Sequence, residues 1–173
     1  MDFILTQIIG GIAYILLSIS YFKKEKNKIL FMQIFAYIMF TIHYYMLSGI
    51  TGATCNLLGL IALIIIYLFE KYNVKNKKVL IICMIPFVAI ISLITFQDIF
   101  SIFPIIASVT VIISFISDNE KIIRIIGVVS AICWLLYAFV YKSYVSIVFE
   151  ALTLLFVLGA LLKNDGEIQK KNK

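Results

Sequence analysis

The chain has 173 residues, of which 63% are apolar and only 14% charged, with a formal net charge of +6 and a mean hydropathy of +1.08. A water-soluble domain keeps about a quarter of its residues charged, and one this small has no core able to hide so much Ile, Leu, Phe and Val. Cytosolic enzymes, disulfide-knit secreted modules and nucleic-acid binders are excluded, and the composition is that of an integral membrane protein.

Cutting at charged and turn-forming clusters leaves seven apolar runs, each close to the roughly 20 residues a helix needs to cross hydrocarbon. The first, Phe3–Phe22, has no basic flank before it, since Asp2 is the only charge before Lys23, so it reads as a mature helix rather than a cleaved leader. A connector with Lys23, Lys24, Lys26 and Lys28 leads to Ile29–Ser48, and the turn Gly49–Gly52 to Ala53–Phe69. A second basic connector, with Lys71, Lys75, Lys77 and Lys78, precedes Val79–Phe96. Gln97-Asp98 then separates that run from Ile99–Ser117, Asp118–Lys121 precedes Ile122–Tyr141, and Lys142-Ser143 precedes Tyr144–Leu162 and a basic tail. Lysines crowd the first and third connectors and the tail, while the second, fourth and sixth hold at most one charge. The positive-inside rule therefore puts the N-terminus out and the C-terminus in, the parity that seven crossings require.

Sliding the chain against itself, so that Ser48-Gly49-Ile50 falls on Lys142-Ser143-Tyr144, lays the first three runs on the last three without a gap. Polar positions then coincide by face. Gly127, Ser130, Trp134, Tyr137 and Tyr141 form one helical stripe and fall on Gln33, Ala36, Phe40, His43 and Leu47, also one stripe. Ser146, Glu150 and Thr153 fall on Gly52, Asn56 and Gly59, and the first run carries Gln7, Gly11, Tyr14, Ser18 and Tyr21 at helical spacing. The fourth run has no counterpart and no Asn, Gln, Tyr or charge between Val79 and Phe96, so it reads as a connector. An odd helix between two copies makes both point the same way across the bilayer. The expected fold is all-α, seven transmembrane helices in a 3+1+3 parallel repeat. Residues 1–70 form the first bundle, 71–98 a linker with the fourth helix, 99–162 the second bundle and 163–173 a cytoplasmic basic tail.

This arrangement resembles the SWEET, semi-SWEET and PQ-loop transporters. More narrowly, IHYYMLSGITGATCNLLGL and CWLLYAFVYKSYVSIVFEAL are similar to the YgjV-type bacterial inner-membrane proteins, a likeness running from Gln7 to Leu162 and carried by His43, Gly49, Gly52, Asn56, Trp134 and Glu150. It implies a multi-pass protein of the bacterial cytoplasmic membrane and a SWEET-like fold. The Pro-Gln pair of PQ-loop proteins is absent, Gly10-Gly11 stands where the first helix of a sugar transporter usually carries proline, and Pro104 alone fits a hinge position.

Glu150 lies about 9 Å into the last run at 1.5 Å per residue, where an ionised carboxylate costs about 3 kcal/mol and marks a pathway or a paired site. His43 stands at a matching depth, and a His43–Glu150 ion pair would offset both costs and supply a proton-linked element, since imidazole changes charge near neutral pH. Asn56 should face Glu150 and offer an amide to a hydroxylated or amide-bearing solute, and Trp134 beside Tyr137 could stack on a ring or sugar face. Gln7, Tyr14 and Gln33 would line the same cavity, opening toward the exterior. Tyr44, Tyr45, Tyr141 and Tyr144 read as an interfacial aromatic belt.

The expected function is an alternating-access carrier, not an enzyme, for a small polar solute bound between the two bundles. A substrate-capturing subunit of a larger complex and a non-transporting scaffold are the rivals. The lipid bilayer and the solute are the expected partners, with homo-oligomerisation open. Cys55, Cys83 and Cys133 form no metal-type spacing and read as buried apolar fillers, so no metal or cofactor is expected.

Overall fold

A computed structural model of the protein describes residues 2–21, 23, 25–72, 74, 77–116 and 120–171, with the side chains of residues 21, 26, 77, 78, 80, 81, 114–116, 120 and 121 and those beyond Gly159 outside that description. Lys24, Lys75, Ser117, Asp118 and Lys173, on which part of the connector and charge reading falls, lie outside the described residues. Among the described residues seven α-helices follow one another: α1 Phe3–Tyr21, α2 Lys26–Met46, α3 Ile50–Lys71, α4 Lys77–Ile94, α5 Ile102–Ile116, α6 Glu120–Val140 and α7 Tyr144–Lys171, with a 3-10 turn Ile99–Ser101 ahead of α5. No strand occurs among the described residues.

Boundaries differ from the sequence expectation where side chains cap a helix end. α3 begins at Ile50, with Gly49 as its N-cap, because Gln97 and Tyr137 supply acceptors to its first N–H groups. α5 starts behind Asp98, whose carboxylate accepts from the Ser101 N–H while the Ser101 hydroxyl bonds the Asp98 N–H, a reciprocal capping box.

Consecutive helices pack on each other in two sets, α1–α2–α3 and α5–α6–α7. α4 lies against α3 and α5, and α1 meets α7. Side chains face outward that a soluble protein would bury: Ile4, Ile8, Ile12, Ile15 and Ile19 form an exposed stripe along α1. Among the described residues four stretches, Phe3–Ser20, Asn27–Met46, Ile50–Lys71 and Ile122–Val140, are long and apolar enough to cross a membrane. α4, α5 and α7 contribute the shorter apolar stretches Ile82–Ile94, Ile99–Ile113 and Tyr144–Gly159. Cys55 and Cys133 are buried as expected, but Cys83 is exposed on α4 and fills no core.

The α2–α3 and α6–α7 turns are built alike. Ser48 (φ 62°) and Lys142 (φ 54°) both take the left-handed conformation that is uncommon outside glycine. The Gly49 N–H bonds the Tyr44 carbonyl and the Ser143 N–H that of Ala138, both at 2.9 Å. One glutamine latches each turn from the other three-helix set or its edge. The Gln97 amide donates to the Ser48 carbonyl (3.0 Å) and its oxygen accepts from the Ile50 and Thr51 N–H groups. The Gln7 amide donates to the Lys142 carbonyl (3.1 Å) and its oxygen accepts from the Val145 N–H (3.2 Å).

Each latch satisfies helix-end groups that have no partner of their own. Gln7→Ala and Gln97→Ala should therefore each cost about 1–2 kcal/mol and lower the melting temperature by about 4 °C in detergent. The two share no partner, so the double variant should show the sum of the single effects in a thermal melt.

Candidate functional site

Four of the eight side chains expected at a binding site converge. Tyr14 of α1, Asn56 of α3, Trp134 of α6 and Glu150 of α7 line one cavity of about 650 Å³, within the roughly 300–1,000 Å³ usual for small-ligand sites. Both three-helix sets contribute walls. The Tyr14 hydroxyl donates to Glu150 Oε1 at 2.8 Å, tying α1 to α7. Tyr14 is held in place by its ring, stacked on Phe149 at 4.6 Å and met edge-on by Phe40 at 4.7 Å. Asn56 is buried and spends one N–H on the Gly52 carbonyl of its own helix (2.9 Å), leaving its second N–H and its oxygen for the cavity.

His43 and Tyr137 do not line the cavity; they close one end of it. His43 is fully buried, with Nδ1 2.7 Å from the Thr6 carbonyl and Nε2 2.6 Å from the Ser143 hydroxyl, which in turn bonds Ser146 at 2.6 Å. A carbonyl only accepts, so Nδ1 carries a proton, and the second nitrogen is taken by Ser143. The expected His43–Glu150 ion pair therefore does not form: both ring nitrogens are engaged elsewhere, and Glu150 bonds Tyr14. The proton-linked element read from that pair goes with it. Tyr137, the position on which His43 falls in the self-alignment, accepts the Gly52 N–H at 3.0 Å, and its ring packs on Tyr141 (4.4 Å) and Tyr44 (5.4 Å). The two residues thus do related work, each plugging the base of the opposite set's last helix.

Gln7 belongs to the same closed end through its latch on the α6–α7 turn. Gln33 is half-buried on α2 and is not among the cavity-lining residues. Tyr141 completes the seal, its hydroxyl donating to Asp98 Oδ2 at 3.1 Å. From Trp134 and Glu150 the lining continues instead past Ser18, Ile123, Gly127 and Phe156, toward the end that holds the α1–α2 connector. The cavity therefore runs away from the end at which the sequence placed its mouth.

The sequence places Tyr44 in an interfacial belt with Tyr45, Tyr141 and Tyr144. It is 2% exposed and lines the cavity, whereas Tyr45 is 64% exposed and suits a belt. Ser130 and Thr153 also line it, and both lie on polar stripes visible in the sequence. Tyr37 lines it too, one turn from Gln33 and Thr41 on α2.

Over residues 4–167 the chain matches the model of a protein family, Imp-YgjV, described as a bacterial inner membrane protein. No curated protein and no solved structure matches it.

Proposed function

The chain belongs to the Imp-YgjV family of bacterial inner membrane proteins, and on that premise we propose that it carries a small polar solute across this membrane by alternating access. The observation that carries the reading is the cavity itself, walled jointly by α1–α3 and α5–α7, with Asn56 on one side and Glu150 on the other. In this reading all seven helices cross the bilayer as two like-oriented bundles joined by α4, the scheme of SWEET-type carriers. The matched turns at Ser48 and Lys142 favour that repeat. The lysine-rich first and third connectors and the basic tail favour an outside N-terminus and an inside C-terminus. The end sealed by His43, Tyr137 and the two glutamine latches is then the outer one, and the cavity corresponds to an inward-facing state. No bond is made or broken; the protein binds and translocates, and is not an enzyme.

The test is uptake into proteoliposomes from a panel of sugars, nucleosides, vitamins, amino acids and amines. At least one compound should enter saturably, and the double variant Glu150→Gln, Asn56→Leu should reduce that flux by about a hundredfold, each lost polar contact being worth about tenfold. Flux that persists in the double variant overturns the reading. So does a protein that moves nothing alone and copurifies with an ATPase, which is the behaviour of a substrate-capturing subunit.

A further inference from the structure

The charge and surface of the cavity narrow the class of solute. Among the described residues lining it, Glu150 is the one carboxylate, and no Lys, Arg or His stands with it. Its Oε1 receives the Tyr14 hydroxyl, and Oε2 receives no hydrogen bond among the described residues. A carboxylate held in a largely apolar enclosure without a cation lacks the partner that usually accompanies buried charge. Around it stand aromatic faces, Tyr37, Tyr44, Trp134 and Phe149, whose π-electrons attract a cation as strongly as they repel an anion.

Tyr44 is 2% exposed and offers the cavity its ring, its hydroxyl being shut away from it. A sugar fits poorly. Beyond Glu150 and the aromatic side chains, its many hydroxyls would meet Asn56, Ser18, Ser130 and Thr153, and two of these already spend a donor on their own helices, Asn56 on the Gly52 carbonyl and Thr153 on that of Phe149. An anion would meet Glu150 with nothing to balance it.

We infer that the cavity takes a small organic ammonium ion with an aromatic or apolar body, its charged head at Glu150 and its body against Trp134. This rests on the cavity being the solute site of the proposed carrier, but it is tested by binding and not by flux. Trp134 is the chain's single tryptophan, so its fluorescence reports occupancy directly. Three probes share one ring and differ in head group: 2-phenylethylamine, cationic at neutral pH, 2-phenylethanol and phenylacetate.

Purified protein should bind the amine saturably and at least about tenfold more tightly than the alcohol, with no saturable binding of phenylacetate. Glu150→Gln keeps an acceptor for Tyr14 and should bring amine and alcohol to within about twofold of each other. Equal binding of amine and alcohol by the parent protein overturns the assignment, as does preference for phenylacetate, saturable binding of none of the three, or amine binding indifferent to Glu150→Gln. Amine binding without any flux would leave the ammonium site standing and remove the carrier. Flux of a neutral solute without amine binding would do the reverse.

Discussion

Gly10→Ala should cost the protein about 3 kcal/mol and lower its melting temperature by about 10 °C, although it adds a single methyl group to a helix that alanine suits better. A Cβ at Gly10 would stand 2.7 Å from the His43 ring and 2.7 Å from a Val145 methyl. The imidazole cannot swing away freely, because it is held at both nitrogens, by the Thr6 carbonyl and the Ser143 hydroxyl. Relief therefore means breaking a buried hydrogen bond, at about 1–3 kcal/mol, or parting α1 from α7. The neighbouring position supplies the control. A Cβ at Gly11 meets only a Val145 methyl at 3.8 Å, an ordinary contact, so Gly11→Ala should gain up to about 1 kcal/mol from helix propensity alone. A thermal melt in which the two variants behave alike would show that His43 is not clamped as described.

That pair of glycines illustrates where sequence reasoning stops. Gly10 and Gly11 are adjacent in an apolar run, and nothing local says that one receives a ring from α2 while the other faces little. The run itself was easy to find, because in a membrane protein the helix is set by an unbroken apolar stretch and ended by charge or by a turn. Self-alignment also identified Ser48 and Lys142 as equivalent, and both have the same unusual backbone. Tyr14, Asn56, Trp134 and Glu150 were legible for a related reason: a polar or amphipathic side chain at helical spacing inside such a run needs something to face.

What helical spacing fixes is a direction around the axis. It does not fix whether the space in that direction is empty. His43 and Tyr137 point toward the same axis as Glu150, yet they meet glycine, Gly10 for one and Gly52 for the other, and fill the space that was read as a mouth. Gln7 was misplaced for the same reason, since its partners are backbone groups more than a hundred residues away in the α6–α7 turn. Tyr44 erred in the opposite sense. Its position near a helix end suggested lipid headgroups, and only the packing of Trp134 at 5.3 Å and Tyr137 at 5.4 Å turns it inward.

Tyr137→Ala should have the larger functional consequence, because it empties an aromatic cluster at the closed end. Its ring is fully buried between Tyr44, Trp134 and Tyr141, and its hydroxyl accepts the Gly52 N–H near the start of α3. Truncation removes an aromatic side chain from a packed cluster, which costs about 3–5 kcal/mol, and leaves that helix-end N–H without its acceptor. Tyr137→Phe keeps the ring and should cost only about 1 kcal/mol. The two variants therefore separate packing from hydrogen bonding. They also test which way the cavity faces. Ser130 lines the cavity beyond the seal, so in a protein without the three native cysteines a Ser130→Cys variant can be probed with a membrane-impermeant maleimide from outside the cell. With Tyr137 in place, labelling should be slow, and with Tyr137→Phe it should stay slow. With Tyr137→Ala it should quicken by about tenfold or more, since filling the gap with water is then all that access requires. Fast external labelling in the parent would mean that the end closed by His43 and Tyr137 is not the outer one, and that the lysine-rich connectors had been assigned to the wrong face.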